Sequence, residues 1–171
     1  MKPSDINANE HVPYFGRYIS QAPEATILEG LESGLNTIVN TLKNFPTEKY
    51  DYRYEEGKWT VKDMLQHIID TERIFAYRAL RIARGDKSQL QGYEQDDYVG
   101  PAKANDRPFV EMLEDYKHCR ENTVAMFRSF DDEMLGQIGT ASGGPMSARA
   151  AGYIIVGHEL HHMQILQERY L

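Results

Sequence analysis

The chain has 171 residues, 41% of them apolar and 26% charged, which is enough for one folded domain with a sizeable core and excludes a disordered chain. Its net charge of −7 argues against a nucleic-acid backbone or an anionic membrane as partner. The lone cysteine, Cys119, excludes an internal disulfide and suits a reducing cytoplasm, no run approaches the ~20 apolar residues of a bilayer span, and the N-terminal MKPSDINANEHVPYFGRY lacks the apolar centre of a secretory signal.

No repeat, linker or alternating strand is evident, so residues 1–171 read as one all-α domain, with 1–23 as an N-terminal extension. The first predicted helix carries Ile27, Leu28, Leu31, Leu35, Ile38, Val39 and Leu42 at three- and four-residue steps and ends before Pro46. The second runs from Thr60 to Arg84, before Gly85, with Thr60 and Asp63 as a capping box and Trp59 against Met64 as a hydrophobic staple. The third spans 107–130 with Asp106 as its cap and a stripe that includes Phe109, Met112, Tyr116, Cys119, Thr123 and Phe127. Gly143-Gly144-Pro145 breaks the chain before a fourth helix over 146–169. Four helices of this length predict a four-helix bundle. Loop 85–106 is long for a compact domain, which points to a functional role or to a crossover along the bundle.

The fourth helix holds His158-Glu159-Leu160-His161-His162. At about 100° per residue, His158 and His162 lie one above the other within the apolar stripe of Ala151, Ile154 and Ile155. Two stacked core imidazoles need partners for their ring nitrogens, and a shared metal ion satisfies one nitrogen of each. His67 on the second helix is the best third ligand. It lies about 10 Å from the helix start, and the His158–His162 midpoint lies about 13 Å from the end of the fourth helix. Antiparallel helices bring the three to one level, whereas parallel ones leave them about 11 Å apart. The expectation is therefore an up-down-down-up bundle with the long crossover between helices two and three. Three imidazoles with a vacant fourth position describe a catalytic rather than a structural site, with zinc as the default ion and nickel, iron or manganese as alternatives.

Around this set, Asp70 is the candidate to orient His67, with an exposed charge as its bland alternative. Glu72 falls on the apolar face of its helix, where an ion pair with an arginine from a neighbouring helix explains it better than catalysis. HELHH also reads as H-E-x-x-H, with Glu159 as general base, but only nine residues follow His162 and no strand is evident to bind a peptide. Glu159, pointing to one side of the stripe, and His161, at its margin, remain the secondary catalytic candidates. His11 and His118 sit in polar surroundings, Cys119 reads as core, and Tyr93, Asp96, Asp97 and Tyr98 of the long loop are candidates to cover a pocket.

With His67 inside YRYEEGKWTVKDMLQHIIDTERIFAYRALRIARGD and GHELHHMQILQERYL closing the chain, the sequence resembles the DinB/YfiT-like family of metal-dependent enzymes from about Ile19 onward. The resemblance implies a four-helix bundle, often a homodimer, with a divalent metal on three histidines that match His67, His158 and His162. It further implies either a thiol-dependent S-transferase using a low-molecular-weight thiol such as bacillithiol, mycothiol or glutathione, or a metal-dependent hydrolase. The leading expectation is a cytoplasmic enzyme acting on a small molecule. The alternative is a non-enzymatic metal-binding interaction or stress-response protein with a closed coordination sphere.

Overall fold

The structure is a computed structural model describing residues Met1 to Leu171. In chain order its helices are α1 (Pro13–Ile19), α2 (Ile27–Lys43), α3 (Val61–Ala83), α4 (Asp96–Ala102), α5 (Phe109–Arg128), α6 (Asp132–Gly136) and α7 (Ala148–Arg169). Three short strands, β1 (Gln89–Leu90), β2 (Ile138–Ala141) and β3 (Gly144–Ser147), form one small sheet in the order β1-β2-β3. No helix is long and apolar enough to cross a membrane.

Side-chain caps start three of the four long helices. Thr26 accepts from the Glu29 amide, Thr60 from Asp63 and Ser147 from Ala150. Glu29 and Asp63 return the bond to the Thr26 and Thr60 amides, so the capping box at Thr60 is present. Beyond α3, Gly85 adopts φ +79°, the left-handed backbone that favours glycine at a helix end. The third helix begins at Phe109 behind Pro108, and Asp106 belongs to a preceding 3-10 turn rather than capping it.

Helix directions follow from who meets whom. Thr60, at the start of α3, donates to Asn105 just ahead of α5, and Glu72 further along α3 meets Arg120 further along α5, so these two helices run parallel. Tyr170, at the end of α7, donates to the Trp59 carbonyl at the start of α3, so this pair is antiparallel. Tyr153 reaches the Ala25 carbonyl at one end of α2, and Lys49 beyond the other end reaches Tyr170, so α2 and α7 run together. The bundle is up-down-down-up, as the sequence predicts.

Two elements differ from expectation. The 85–106 segment is not a bare loop but contains β1 and α4, and β1 pairs in parallel with β2. The 138–147 segment forms a hairpin turned by Ser142 and Gly143, both at positive φ, which is the geometry a two-residue hairpin requires. Pro145 is tolerated there because β3 is an edge strand.

The buried apolar residues fall into two clusters. On each long helix the change of cluster comes at one level: between Leu31 and Ile38 on α2, Ile69 and Phe75 on α3, Tyr116 and Val124 on α5, and Val156 and Met163 on α7. The layer between them holds buried polar groups, among them His67, Thr71, Glu72, Arg120, His158, Glu159 and His162.

The N-terminal residues pack on this frame. Glu10, buried, accepts from Arg149 Nε at 2.6 Å and Nη2 at 2.5 Å near the start of α7. Burial alone would raise this carboxyl, but the Arg149 guanidinium and the Asn7 amide outweigh it and hold it at about 2, against an ordinary 4.5. A depressed carboxyl stabilises fully above its unfolded value and progressively less as pH falls toward the folded one. Glu10→Gln is therefore expected to cost about 1–3 kcal/mol at neutral pH. The gap should narrow from pH 4.5 toward 2, as read by urea unfolding across that range.

Candidate metal centre

His67 is presented by α3, and His158 and His162 by successive turns of α7. All three are buried. Their Nε2 atoms converge, with His67 to His158 at 2.9 Å and His158 to His162 at 3.1 Å, and one donor atom from each lies within 4.8 Å of the others. His158 Nε2 carries either one proton or one lone pair, so it cannot make two hydrogen bonds of the same kind to two imidazoles. Hydrogen bonding among the rings alone therefore leaves one of the two close contacts without a hydrogen bond of its own. Two nitrogens held by one ion at about 2.0–2.1 Å stand roughly 2.9 to 3.4 Å apart for angles from 90° to tetrahedral, a range that contains both of these contacts.

Electrostatics keep these donors neutral. Burial lowers the His67 imidazole to about 4, and burial reinforced by the neighbouring imidazoles places His158 and His162 well below the usual histidine range. Three neutral lone pairs at this spacing can hold one divalent cation. His67 Nδ1 faces Thr71 Oγ1 at 3.4 Å, and that hydroxyl shares a 2.7 Å bond with Tyr93 from the α3–α5 connection. His162 Nδ1 is fully enclosed and has no partner. Aromatic rings flank the set: Trp59 lies 4.7 Å from His67, centroid to centroid, and Tyr18 of α1 lies edge-on 5.2 Å from His158.

The remaining sequence candidates sort themselves by contact. Asp70 does not orient His67; its carboxylate accepts from Gln66 at 3.0 Å and lies 3.6 Å from Arg73, and Thr71, one turn beyond His67, takes the orienting position. Glu159 does not stand free to one side as a base. It is buried and receives Arg120 Nη1 at 2.9 Å and the Tyr116 hydroxyl at 2.9 Å. Glu72 makes the expected ion pair, chelating Arg120 Nε and Nη2 at 2.9 and 2.8 Å. Gly34 of α2 makes room for this cluster, since a Cβ there would overlap Glu159 Oε1. His161 is half-buried beside Tyr18, 5.5 Å between ring centroids, next to the triad rather than in it. His118 is exposed, and His11 bonds the Val12 carbonyl. Burial pushes the Cys119 thiol up to about 12, so it carries no thiolate at neutral pH.

A cleft of about 500 Å³ opens beside His158, walled by Phe15, Tyr18, Thr71, Phe75, Arg78 and Tyr93 among others, a size suited to a small molecule. A much smaller cavity touches His67 from the side of Asp70 and Tyr98 and has room for about one water. Of the loop candidates, Tyr93 and Asp96 line the cleft, and Tyr98 stacks edge-on against Tyr93 outside it. Thr71, Trp59, Tyr18 and Arg78 escape sequence reasoning; only Thr71, four residues after His67, leaves a spacing signal there.

The model of the DinB superfamily matches residues 31–166, a stretch that contains all three histidines. The chain belongs to the DinB superfamily. It is 22% identical over 152 residues to a protein of Oceanobacillus iheyensis named "putative metal-dependent hydrolase", with 84% of this chain and 87% of that one covered. Its fold also matches that of YfiT from Bacillus subtilis, with a TM-score of 0.70 and 15% identity over 96% of this chain and 90% of that one. That protein is described as "a probable metal-dependent hydrolase with an unusual four-helix bundle topology". At this identity the match speaks for the fold alone.

Proposed function

We propose that this DinB-superfamily protein is a divalent-metal-dependent enzyme acting on a small molecule, with His67, His158 and His162 as the metal ligands. The observation that carries the reading is the meeting of three neutral, buried Nε2 atoms beside an open cleft. Zinc is the default ion for an all-imidazole donor set, with nickel, iron or manganese as alternatives. When bound, such an ion supplies Lewis acidity and turns water or a thiol into a nucleophile at neutral pH.

The chain's own residues do the rest. Thr71, itself held by the Tyr93 hydroxyl, faces the outer nitrogen of His67 and orients its ring. Trp59 and Tyr18 exclude solvent from the two flanks. The cleft leaves one side of the triad accessible, which favours an enzyme over a closed structural site. The names of the relatives favour hydrolysis, and the family resemblance adds transfer to a low-molecular-weight thiol, which shares the same first activation. The resemblance also carries a homodimer into this reading, and the single cysteine suits a reducing cytoplasm.

His67→Ala and His162→Ala are each expected to weaken metal binding by more than about 100-fold, beyond the 10–100-fold typical of an outer partner. Elemental analysis after dialysis checks this. Stoichiometric metal in both variants would show the site to be wrong. On metal-loaded protein, esters and amides tested beside thiol–electrophile pairs then separate the two chemistries, since only a transferase requires the thiol.

A further inference from the structure

Two arginines are deeply buried, Arg120 at 0% and Arg78 at 2% exposure, and they are treated very differently. Arg120 is neutralised by two carboxylates. Arg78 has none: it takes part in no ion pair, and its one hydrogen bond runs from Nη2 to the Gln91 carbonyl at 2.8 Å. Its Nε and Nη1 have no protein partner, yet they are not sealed, because the only fully enclosed side-chain nitrogen or oxygen without a partner is His162 Nδ1. The Phe75 ring lies 4.8 Å from the guanidinium carbon and supports one face of it.

A buried guanidinium without a counter-charge is costly, and arginine keeps its proton even so. In a chain of net charge −7 it is not a by-product of general basicity. Arg78 stands in the wall of the cleft that reaches His158, and its far side borders an outer groove along Arg73 and Tyr77. Along α3 it lies eleven residues from His67, about 16 Å of helix axis. Eleven residues is close to three helical turns, so both side chains leave α3 on the same face.

We infer that Arg78 is the anion-recognition residue of the cleft. It receives the terminal oxyanion, carboxylate or phosphate-like, of an elongated substrate whose reacting end lies at the three histidines. The planar fork of unpaired N–H groups suits two parallel bonds to such a group. Which end of the substrate reacts rests on the metal-enzyme reading above; the anion site itself does not.

The test uses 4-phenylbutyrate and its neutral amide, titrated into metal-free and zinc-loaded protein and followed by NMR at the Arg78 Nε–Hε and Tyr18 signals. The carboxylate is expected to bind at least about tenfold more tightly than the amide, because a charge-assisted pair is lost with the charge. Arg78→Met should bring the carboxylate down to the amide's affinity, and Arg78→Lys should restore part of the difference. His67→Ala should keep the preference while losing metal, so failure of the metal site is read separately. Should Arg78→Met not fold, the wild-type preference decides alone. Equal affinity for the two probes, no saturable carboxylate binding, or shifts confined to Arg73 and Tyr77 would each overturn the assignment.

Discussion

Arg120→Met is expected to lower stability by about 3–5 kcal/mol. The side chain is wholly buried and bridges α5 to α3 through Glu72, to α7 through Glu159 and to α2 through the Leu31 carbonyl at 3.1 Å. Burial works against the charge, but the two carboxylates outweigh it and hold the guanidinium proton well above its ordinary range. Removing the arginine strands two acids in a space closed to water, whereas apolar replacement of all three removes the debt together with the attraction. Arg120→Met with Glu72→Leu and Glu159→Leu should therefore recover most of what the single change loses. Denaturant midpoints at neutral pH decide the matter. A loss below about 1 kcal/mol for the single variant would mean that water reaches the cluster.

The second large effect is at Gly157. In the middle of a helix, glycine to alanine ordinarily stabilises by about 1 kcal/mol. Here the added methyl would stand 3.1 Å from Tyr18 Cα and overlap the Tyr18 carbonyl. That carbonyl belongs to the backbone of α1 and cannot rotate aside as a flexible side chain would. Gly157→Ala is expected to reverse the usual sign and cost about 1–3 kcal/mol by overpacking. The strain is relieved by lifting α1, which takes the Tyr18 ring away from His158. Fast amide exchange across residues 14–19, with α3 and α5 still protected, is the expected signature. A raised melting temperature with α1 fully protected would contradict the close approach.

Both sites show where sequence reasoning reaches and where it stops. The four long helices are legible because each carries many apolar residues at helical steps, and Thr60–Asp63 marks a boundary by local chemistry alone. The triad is legible because His158 and His162 share a face and because axial rise fixes the level at which His67 can meet them. Helix α1 is not legible: seven residues containing Pro13 and Gly16 offer too few turns for a periodic signal, and packing on α7 holds them. The hairpin hides for a related reason, since Pro145 in an edge position reads as a breaker. Glu159 misleads because the helical wheel places it off the apolar stripe, while Arg120 and Tyr116 approach from α5 on that very side. A wheel drawn for one helix carries no information about neighbours.

The polar layer between the two apolar clusters also governs how the four rods are set along their length. Hydrocarbon surfaces tolerate sliding, and a displacement by one turn, about 5.4 Å, would still bring leucine and isoleucine against their like. With Arg120 on α5, Glu72 on α3, Glu159 on α7 and the gap at Gly34 on α2, such a slip would leave a charge facing hydrocarbon. Only one vertical alignment satisfies all four at once. That alignment is also the one that levels the imidazoles of α3 and α7, so the ion cluster acts as a gauge block for the neighbouring triad.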